Sequence, residues 1–265
     1  MSRAKRISEQ LGPRIAAIAA LLVVWQLVAT SGFFNESVFP GPVEVLSAFA
    51  RDFFTTEPPR ESILAAMTAS LIRLIVGLAV GVTLGTLIGL GMAASSRIQW
   101  SIGSLISGLQ ALPSISWLPL SILWFGLSER AILFVVVIAG IPAVAIATAA
   151  SIRLVPPLLI RAGRTLGARR WVLYRRVILP AAVPGYIGGL QQAWALSWRG
   201  LMAGELISTG GKGLGHLLDA NAQSFRTPDI FAVMLMIMGV GMLVEAAFGV
   251  LDRRVRSRRG LLLPA

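Results

Sequence analysis

The sequence predicts an all-α membrane protein with six transmembrane helices, and three observations carry that reading. Hydrophobic residues make up 55% of the 265 and charged residues only 14%, more apolar surface than one soluble core of this size encloses. Six apolar runs, at 15–31, 62–94, 101–125, 131–151, 181–198 and 230–251, each supply about 20 residues of helix, some with help from their flanks. The basic residues alternate sides. With a cytoplasmic N-terminus, 17 of the 24 Lys and Arg fall inside together with only Glu9 and Asp252, while 6 basic residues and nine acids fall outside. Arg73 and Glu245 lie within spans. This bias places both termini in the cytoplasm and explains the net charge of +12 without nucleic acid. Cysteine is absent and His216 is the single histidine, which excludes disulfides, thiolate metal sites and multi-histidine metal sites.

Residues 1–61 read as an N-terminal cytoplasmic tail, the first span and an outer interfacial helix. Met1 to Ala29 has the basic start and apolar stretch of a secretory signal, but the region near Ala29 lacks a small-x-small cleavage pattern. Phe39-Pro-Gly-Pro42 breaks the chain. Pro42 to Phe54 then reads as a short amphipathic helix, with Val45, Leu46, Phe49 and Phe53 on one side, ended by Pro58-Pro59.

Residues 62–254 form the core transmembrane domain and 255–265 a basic cytoplasmic tail. The run at 62–94 is about 50 Å long as a helix, longer than the hydrocarbon core, so it tilts or projects. Gly77, Gly81, Gly85 and Gly89 recur along it every fourth residue, a stripe that lets another backbone approach, from this chain or from a second copy. Leu112-Pro113 and Trp117-Leu118-Pro119 interrupt the third run before a turn at Trp124 to Glu129. Irregular backbone at membrane depth is tolerated where it lines a cavity, so Trp117 and Trp124 are candidates for a translocation path; an aromatic belt at the interface explains them equally well.

The loop at 152–180 carries seven arginines and no acid. It reads as two short helices separated at Gly167, the first opening at Pro156-Pro157 with Ala162, Gly163 and Leu166 on one face opposite Arg161 and Arg164. The second spans about Arg169 to Ile178, with Trp171, Tyr174 and Ile178 aligned, and Pro180 opens the fifth span. A small-residue face beside large protruding side chains suits a groove on another protein; the arginines equally suit anionic lipid. In the fifth span Gln191, Trp194 and Trp198 recur at spacings of three and four, a face for a pathway or for hydrogen bonds between helices. Arg199 is a candidate partner for Glu205 or an anion. Gly210-Gly-Lys-Gly213 lacks the spacing and preceding strand of a nucleotide loop and reads as a flexible outer turn.

The segment Arg161-Ala-Gly-Arg-Thr-Leu-Gly167 with Ile178-Leu-Pro180 resembles the ATPase-docking loop of ABC importer permeases, whose signature runs Glu-Ala-Ala, a glycine, then a hydrophobic-x-Pro ending. Ala162, Gly167, Ile178, Leu179 and Pro180 match; Arg161 stands where the family has Glu, and Gly163 where it has the second Ala. The resemblance extends from about Phe39 to Arg254. Phe39-Pro-Gly-Pro-Val-Glu-Val-Leu46, Trp117-Leu-Pro-Leu-Ser-Ile-Leu-Trp-Phe-Gly126, Leu166-Gly-Ala-Arg-Arg-Trp171 and Gly204-Glu-Leu-Ile207 are similar to the nitrate/sulfonate/taurine subgroup.

That resemblance implies a type I ABC importer permease fold with cytoplasmic coupling helices, in a bacterial inner membrane. It implies ATPase coupling through Arg161, Ala162, Gly163, Arg164, Leu166, Gly167, Trp171 and Tyr174. The implied partners are a second copy of the chain, two cytoplasmic ATPase subunits and an extracytoplasmic substrate-binding protein, with no cofactor and with ATP hydrolysis on the separate ATPase. The implied cargo is a small anion, an aliphatic sulfonate, taurine or nitrate. A passive channel and a membrane-embedded enzyme are the competing readings; the first leaves the arginine-rich loop unexplained, and composition offers the second no convergent acid, base or metal set.

Overall fold

A computed structural model describes residues 3–33, 35, 38–55, 61–207 and 211–257. Glu36, Glu57, Pro58-Pro59, Arg60, Gly210, Arg258, Arg259 and the rest of the C-terminal tail lie outside the described residues. The regular elements are all helical: α1 (Arg3–Thr30), α2 (Pro42–Asp52), α3 (Ile63–Ala94), α4 (Ser96–Ala111), a 3-10 turn (Ser114–Trp117), α5 (Leu118–Phe125), α6 (Glu129–Arg153), α7 (Pro157–Thr165), α8 (Arg170–Leu173), a π turn (Tyr174–Ile178), α9 (Leu179–Ile207), α10 (Leu214–Gln223) and α11 (Thr227–Ser257).

The six apolar runs fall on α1, α3, α4 with α5, α6, α9 and α11. Among the described residues, α3, α6 and α11 are each long and apolar enough to cross a membrane alone. The run at 101–125 is not one rod: α4 and α5 meet at a 100° bend after Leu112-Pro113, where the proline lacks the donor a continuing helix needs. The apolar part of α1 is the shorter stretch Ala16–Thr30, and α9 dilutes its apolar length with Gln191, Gln192 and Arg199.

The chain divides into two compact units. The first comprises residues up to Ala66 and Leu217–Met236. Within it Trp25 donates through Nε1 to the Pro40 carbonyl at 3.1 Å and stacks on Phe231, which also meets Phe39 edge-on. Arg51 bonds Asp52 at 2.8 Å and Asp229 at 2.6 Å, and the Asp52 carboxylate holds the guanidinium above its ordinary pKa against the opposing effect of burial. The buried face of α2 is Pro42, Val45, Ala48 and Asp52, while Leu46 points outward. The expected face therefore needs correction: the carboxylate is drawn in by its cation, and Leu46 lies one residue beyond Val45, about 100° around the helix.

The second unit, Met67–His216 with Ile237 onward, is built on α6 against α9. Small residues set their closeness. Gly140 on α6 sits where a Cβ would meet Ser197 Oγ at 2.9 Å, and Ser197 donates to the Val136 carbonyl at 2.9 Å. The glycine stripe of α3 faces α6. A Cβ on Gly77 would lie 2.6 Å from Val136, on Gly85 2.7 Å from the Ile141 carbonyl, and on Gly89 2.6 Å from the Ala145 carbonyl. Gly81 approaches the Val137 carbonyl in the same way, at 3.1 Å.

A second difference concerns Pro180. The chain runs helically from Arg170 to Ile207 instead of starting a new helix there, through a π turn in which the Leu179 N–H bonds back five residues to Tyr174. Pro180 contributes no N–H, and widening the preceding turn re-registers the ladder around that missing donor.

Candidate functional site

The arginine-rich loop is held by backbone geometry. Pro157 starts α7, and its end is closed by Gly167 at φ +79°, with the Ala168 N–H on the Gly163 carbonyl and the Gly167 N–H on the Arg164 carbonyl, both at 3.0 Å. This is a Schellman cap, which needs the left-handed conformation that glycine reaches without a Cβ clash. Gly163 turns inward, where a Cβ would sit 2.8 Å from Leu173 and 3.2 Å from Val177, and Tyr174 is partly buried against the cluster of Ile152, Val155, Leu173, Ile178 and Ala182. Arg161, Ala162, Arg164 and Leu166 are exposed, Leu166 at 87%, and Trp171 follows at 71%. The structure thus separates the predicted set into inward residues that shape the loop and outward residues that present apolar and basic groups side by side.

At the opposite end of α6 and α9 lies a buried polar network. Glu205 is fully buried; its two carboxylate oxygens share the one Ser70 hydroxyl donor at 2.9 and 2.8 Å and accept from Arg73 Nη1 at 2.8 Å and from the Gly215 N–H at 2.9 Å. Arg73 also bonds both oxygens of Glu129 and the Lys212 carbonyl. The Leu214 N–H completes the set on Ser70 Oγ at 2.9 Å. The expected pairing of Glu205 with Arg199 is therefore replaced by Arg73. Arg199 stands six residues before Glu205 on α9, roughly 120° around the helix, and is exposed.

Of the segment expected as a flexible turn, residues 211–213 are described, and they are tied to the network. A Cβ on Gly213 would fall 2.5 Å from Glu205 Cδ, and on Gly215 2.8 Å from the Met202 carbonyl, so these glycines let the strap close over the carboxylate. Arg73 and Glu205 were both conspicuous as ionisable residues in apolar surroundings; their pairing, across 132 residues, had no local signal.

The five predicted pathway residues separate into two groups. Trp117 and Trp124 both meet Phe134 of α6 edge-on, at 6.3 and 5.5 Å between ring centres. Trp194 and Trp198 stack on each other at 5.7 Å and are buried, and Gln191, one turn earlier on α9, donates to Glu245 of α11. The last contact gives the carboxylate in the apolar helix α11 a partner.

Comparison with known proteins gives this geometry a context. Residues 81–257 match the family described as binding-protein-dependent transport system inner membrane component. The chain is 29% identical to the taurine transport system permease protein TauC of Escherichia coli, over 96% of this chain and 92% of the relative. It is 27% identical to the nitrate import permease protein NrtB of Leptolyngbya laminosa, over 92% and 87%. Its fold is similar to that of the methionine ABC transporter MetNI in an inward-facing conformation, with a TM-score of 0.62 at 18% identity, over 73% of this chain and 95% of that one.

Proposed function

We propose that this chain, which belongs to the family of binding-protein-dependent transport system inner membrane components, is the permease subunit of an ATP-driven importer for a small anionic solute: an aliphatic sulfonate, taurine or nitrate. Two copies form the pore, two ATPase subunits bind on the cytoplasmic side, and an extracytoplasmic binding protein delivers the cargo. The relatives that carry taurine and nitrate in their names support the cargo class. The charge bias supports the orientation, with the seven arginines of 153–176 on the cytoplasmic side.

One observation carries the docking reading: the exposed tip of α7, where Arg161, Arg164 and Leu166 stand on a helix locked by the Schellman cap. A rigid, basic, apolar-tipped helix transmits displacement, whereas a loose loop absorbs it, so closure of the ATPases moves α7 as a lever on the core. Arg161 in place of the family's acid implies an acidic groove on the ATPase of this system. Trp117, Trp124, Gln191, Trp194 and Trp198 are the residues assigned to the path or its walls.

Purification of the tagged chain in mild detergent followed by native mass spectrometry tests the proposal. Two copies with two ATPase subunits is the expected mass. A chain that emerges alone under conditions that preserve related complexes overturns the importer reading, and unchanged docking in Arg161→Glu overturns the acidic groove.

A further inference from the structure

Three adjoining cavities of the core unit form one furrow. The first, about 300 Å³, is lined by Trp171, Val172, Arg175 and Arg176. The second, about 540 Å³, shares Trp171 and runs along Leu90, Ala93, Ile152 and Leu179, with Arg170 also on its wall. The third, about 300 Å³, shares Leu90, Ile152 and Leu179 and continues to Ala182, Val183 and Tyr186. Leu90 and Leu179 are 38% and 41% exposed, so the chain itself leaves this apolar lining open.

We propose that the furrow binds one anionic phospholipid, with an acyl chain along α3 and α9 and the phosphate at Arg175 and Arg176. The chemistry changes along its length as a phospholipid does. Among the described residues the guanidinium groups of Arg170, Arg175 and Arg176 have no hydrogen-bond or ion-pair partner, and no acid lies between 153 and 176 to neutralise them. Beyond Trp171 the wall presents carbon. In the third cavity the hydroxyls have protein partners: Thr86 Oγ1 and Tyr186 Oη bond each other at 2.8 Å, and Thr148 and Ser151 donate to carbonyls of their own helix, while Tyr174 and Arg170 line the second cavity beside Trp171. In the third cavity no charged side chain answers an oxyanion cargo, and an extended peptide finds few partners for its backbone. An acyl chain asks for neither. Basic recesses between membrane helices suit anionic headgroups, and the indole of Trp171 at the junction suits the interface between headgroup and tail.

Trp171 and Tyr174, which the resemblance also gives to ATPase coupling, line the furrow, whereas the docking tip at Arg161, Arg164 and Leu166 does not, so variants confined to the tip and to Arg175 and Arg176 separate the two assignments. The test uses the full chain in detergent with added phosphatidylglycerol or phosphatidylcholine, and native mass spectrometry counts retained lipid. Wild type is expected to retain phosphatidylglycerol preferentially. Arg175→Gln with Arg176→Gln is expected to lower that retention about 30-fold, taking both arginines at the ordinary worth of a basic residue beside an anionic surface.

Arg161→Gln with Arg164→Gln removes the same charge away from the furrow and is expected to leave retention unchanged. Leu90→Trp, which fills the furrow where the second and third cavities join, is expected to displace both lipids; retained helicity by circular dichroism certifies each variant. Equal retention of the two lipids by wild type overturns the proposal. So does an equal loss in the two double variants, which would assign the effect to loop charge at large. Loss of ATPase subunits or of the second copy in Arg175→Gln with Arg176→Gln would give the furrow to a protein partner and overturn it too, whereas an ATPase that fails to bind wild type bears only on the docking reading.

Discussion

Replacing Arg73 by methionine tests the polar network more sharply than any other substitution. The variant keeps the aliphatic length of the side chain but leaves Glu205, with no exposed surface, bonded to Ser70 and the Gly215 N–H without a counter-charge. Removing one partner of a buried pair costs about 3–5 kcal/mol. In Glu205→Gln the arginine retains Glu129 and the Lys212 carbonyl, so the expected loss is about 1–3 kcal/mol, the scale of an imperfectly satisfied buried hydrogen bond. Glu129, whose side chain is 56% exposed, is an exposed partner, and Glu129→Gln is expected to cost about 0–1 kcal/mol. Arg73→Met with Glu205→Gln removes both buried charges together and is expected to fall short of the summed single losses by about 0.5–3 kcal/mol. Titration of the purified chain with dodecyl sulfate in mixed micelles, followed by circular dichroism, measures all four. If Arg73→Met costs no more than Glu129→Gln, or if the double variant is additive, the buried pair is not what holds this end together.

Gly85→Ala drives a methyl to 2.7 Å from the Ile141 carbonyl, and because that atom is backbone the cost is expected at about 1–3 kcal/mol in the same titration. Gly91→Ala, with no atom within 4 Å, is expected to stabilise by up to about 1 kcal/mol through helix propensity, so the pair separates packing from propensity. Leu166→Asp is expected to leave stability within about 0.5 kcal/mol, the side chain being exposed, yet to weaken ATPase capture about 10- to 100-fold, the worth of a leucine buried at an interface. Gly167→Ala forces a Cβ into the left-handed region at a cost of about 1–2 kcal/mol and is expected to speed tryptic cleavage between Arg164 and Arg170 by loosening the α7 cap.

Much of the fold was legible because its signals are local. Hydropathy marked the apolar runs, Leu112-Pro113 the bend, and Gly167 the end of α7, each within a few residues of the structural event. The four-residue period of glycines announced a close approach but not its partner, since α6 follows by some fifty residues and spacing says nothing about which helix lies opposite. The same limit hid the Glu205 partnership. Two ionisable residues on α9 invite pairing along the chain, yet helical phase turns Arg199 away, and the cation that answers Glu205 comes from α3. The π turn was hidden for another reason: Pro180 announces a lost donor, and whether a helix breaks or widens around it is decided by what packs outside, here the Leu173 and Ile178 side chains in the buried cluster.

The two ends of the core unit are built for opposite tasks. At one end every polar group of the Ser70, Arg73 and Glu205 set is satisfied by another, and glycines draw the backbone over the carboxylate, so that movement there means exposing a charge. At the other, Arg153 caps α3 by donating to the Met92 carbonyl at 2.8 Å, but beyond it the guanidinium groups of the loop have no ion-pair partner among the described residues, and the furrow is open. Between the ends, contacts of glycine with backbone and with short side chains leave α3, α6 and α9 little room to slide without clash. On the proposed docking reading, that packing would carry a displacement applied at α7 along these helices instead of losing it in side-chain rearrangement. The consequence for stability is local: substitutions in the buried network are expected to weaken packing at its own end, and surface substitutions at the α7 tip are expected to leave the network's hydrogen bonds intact.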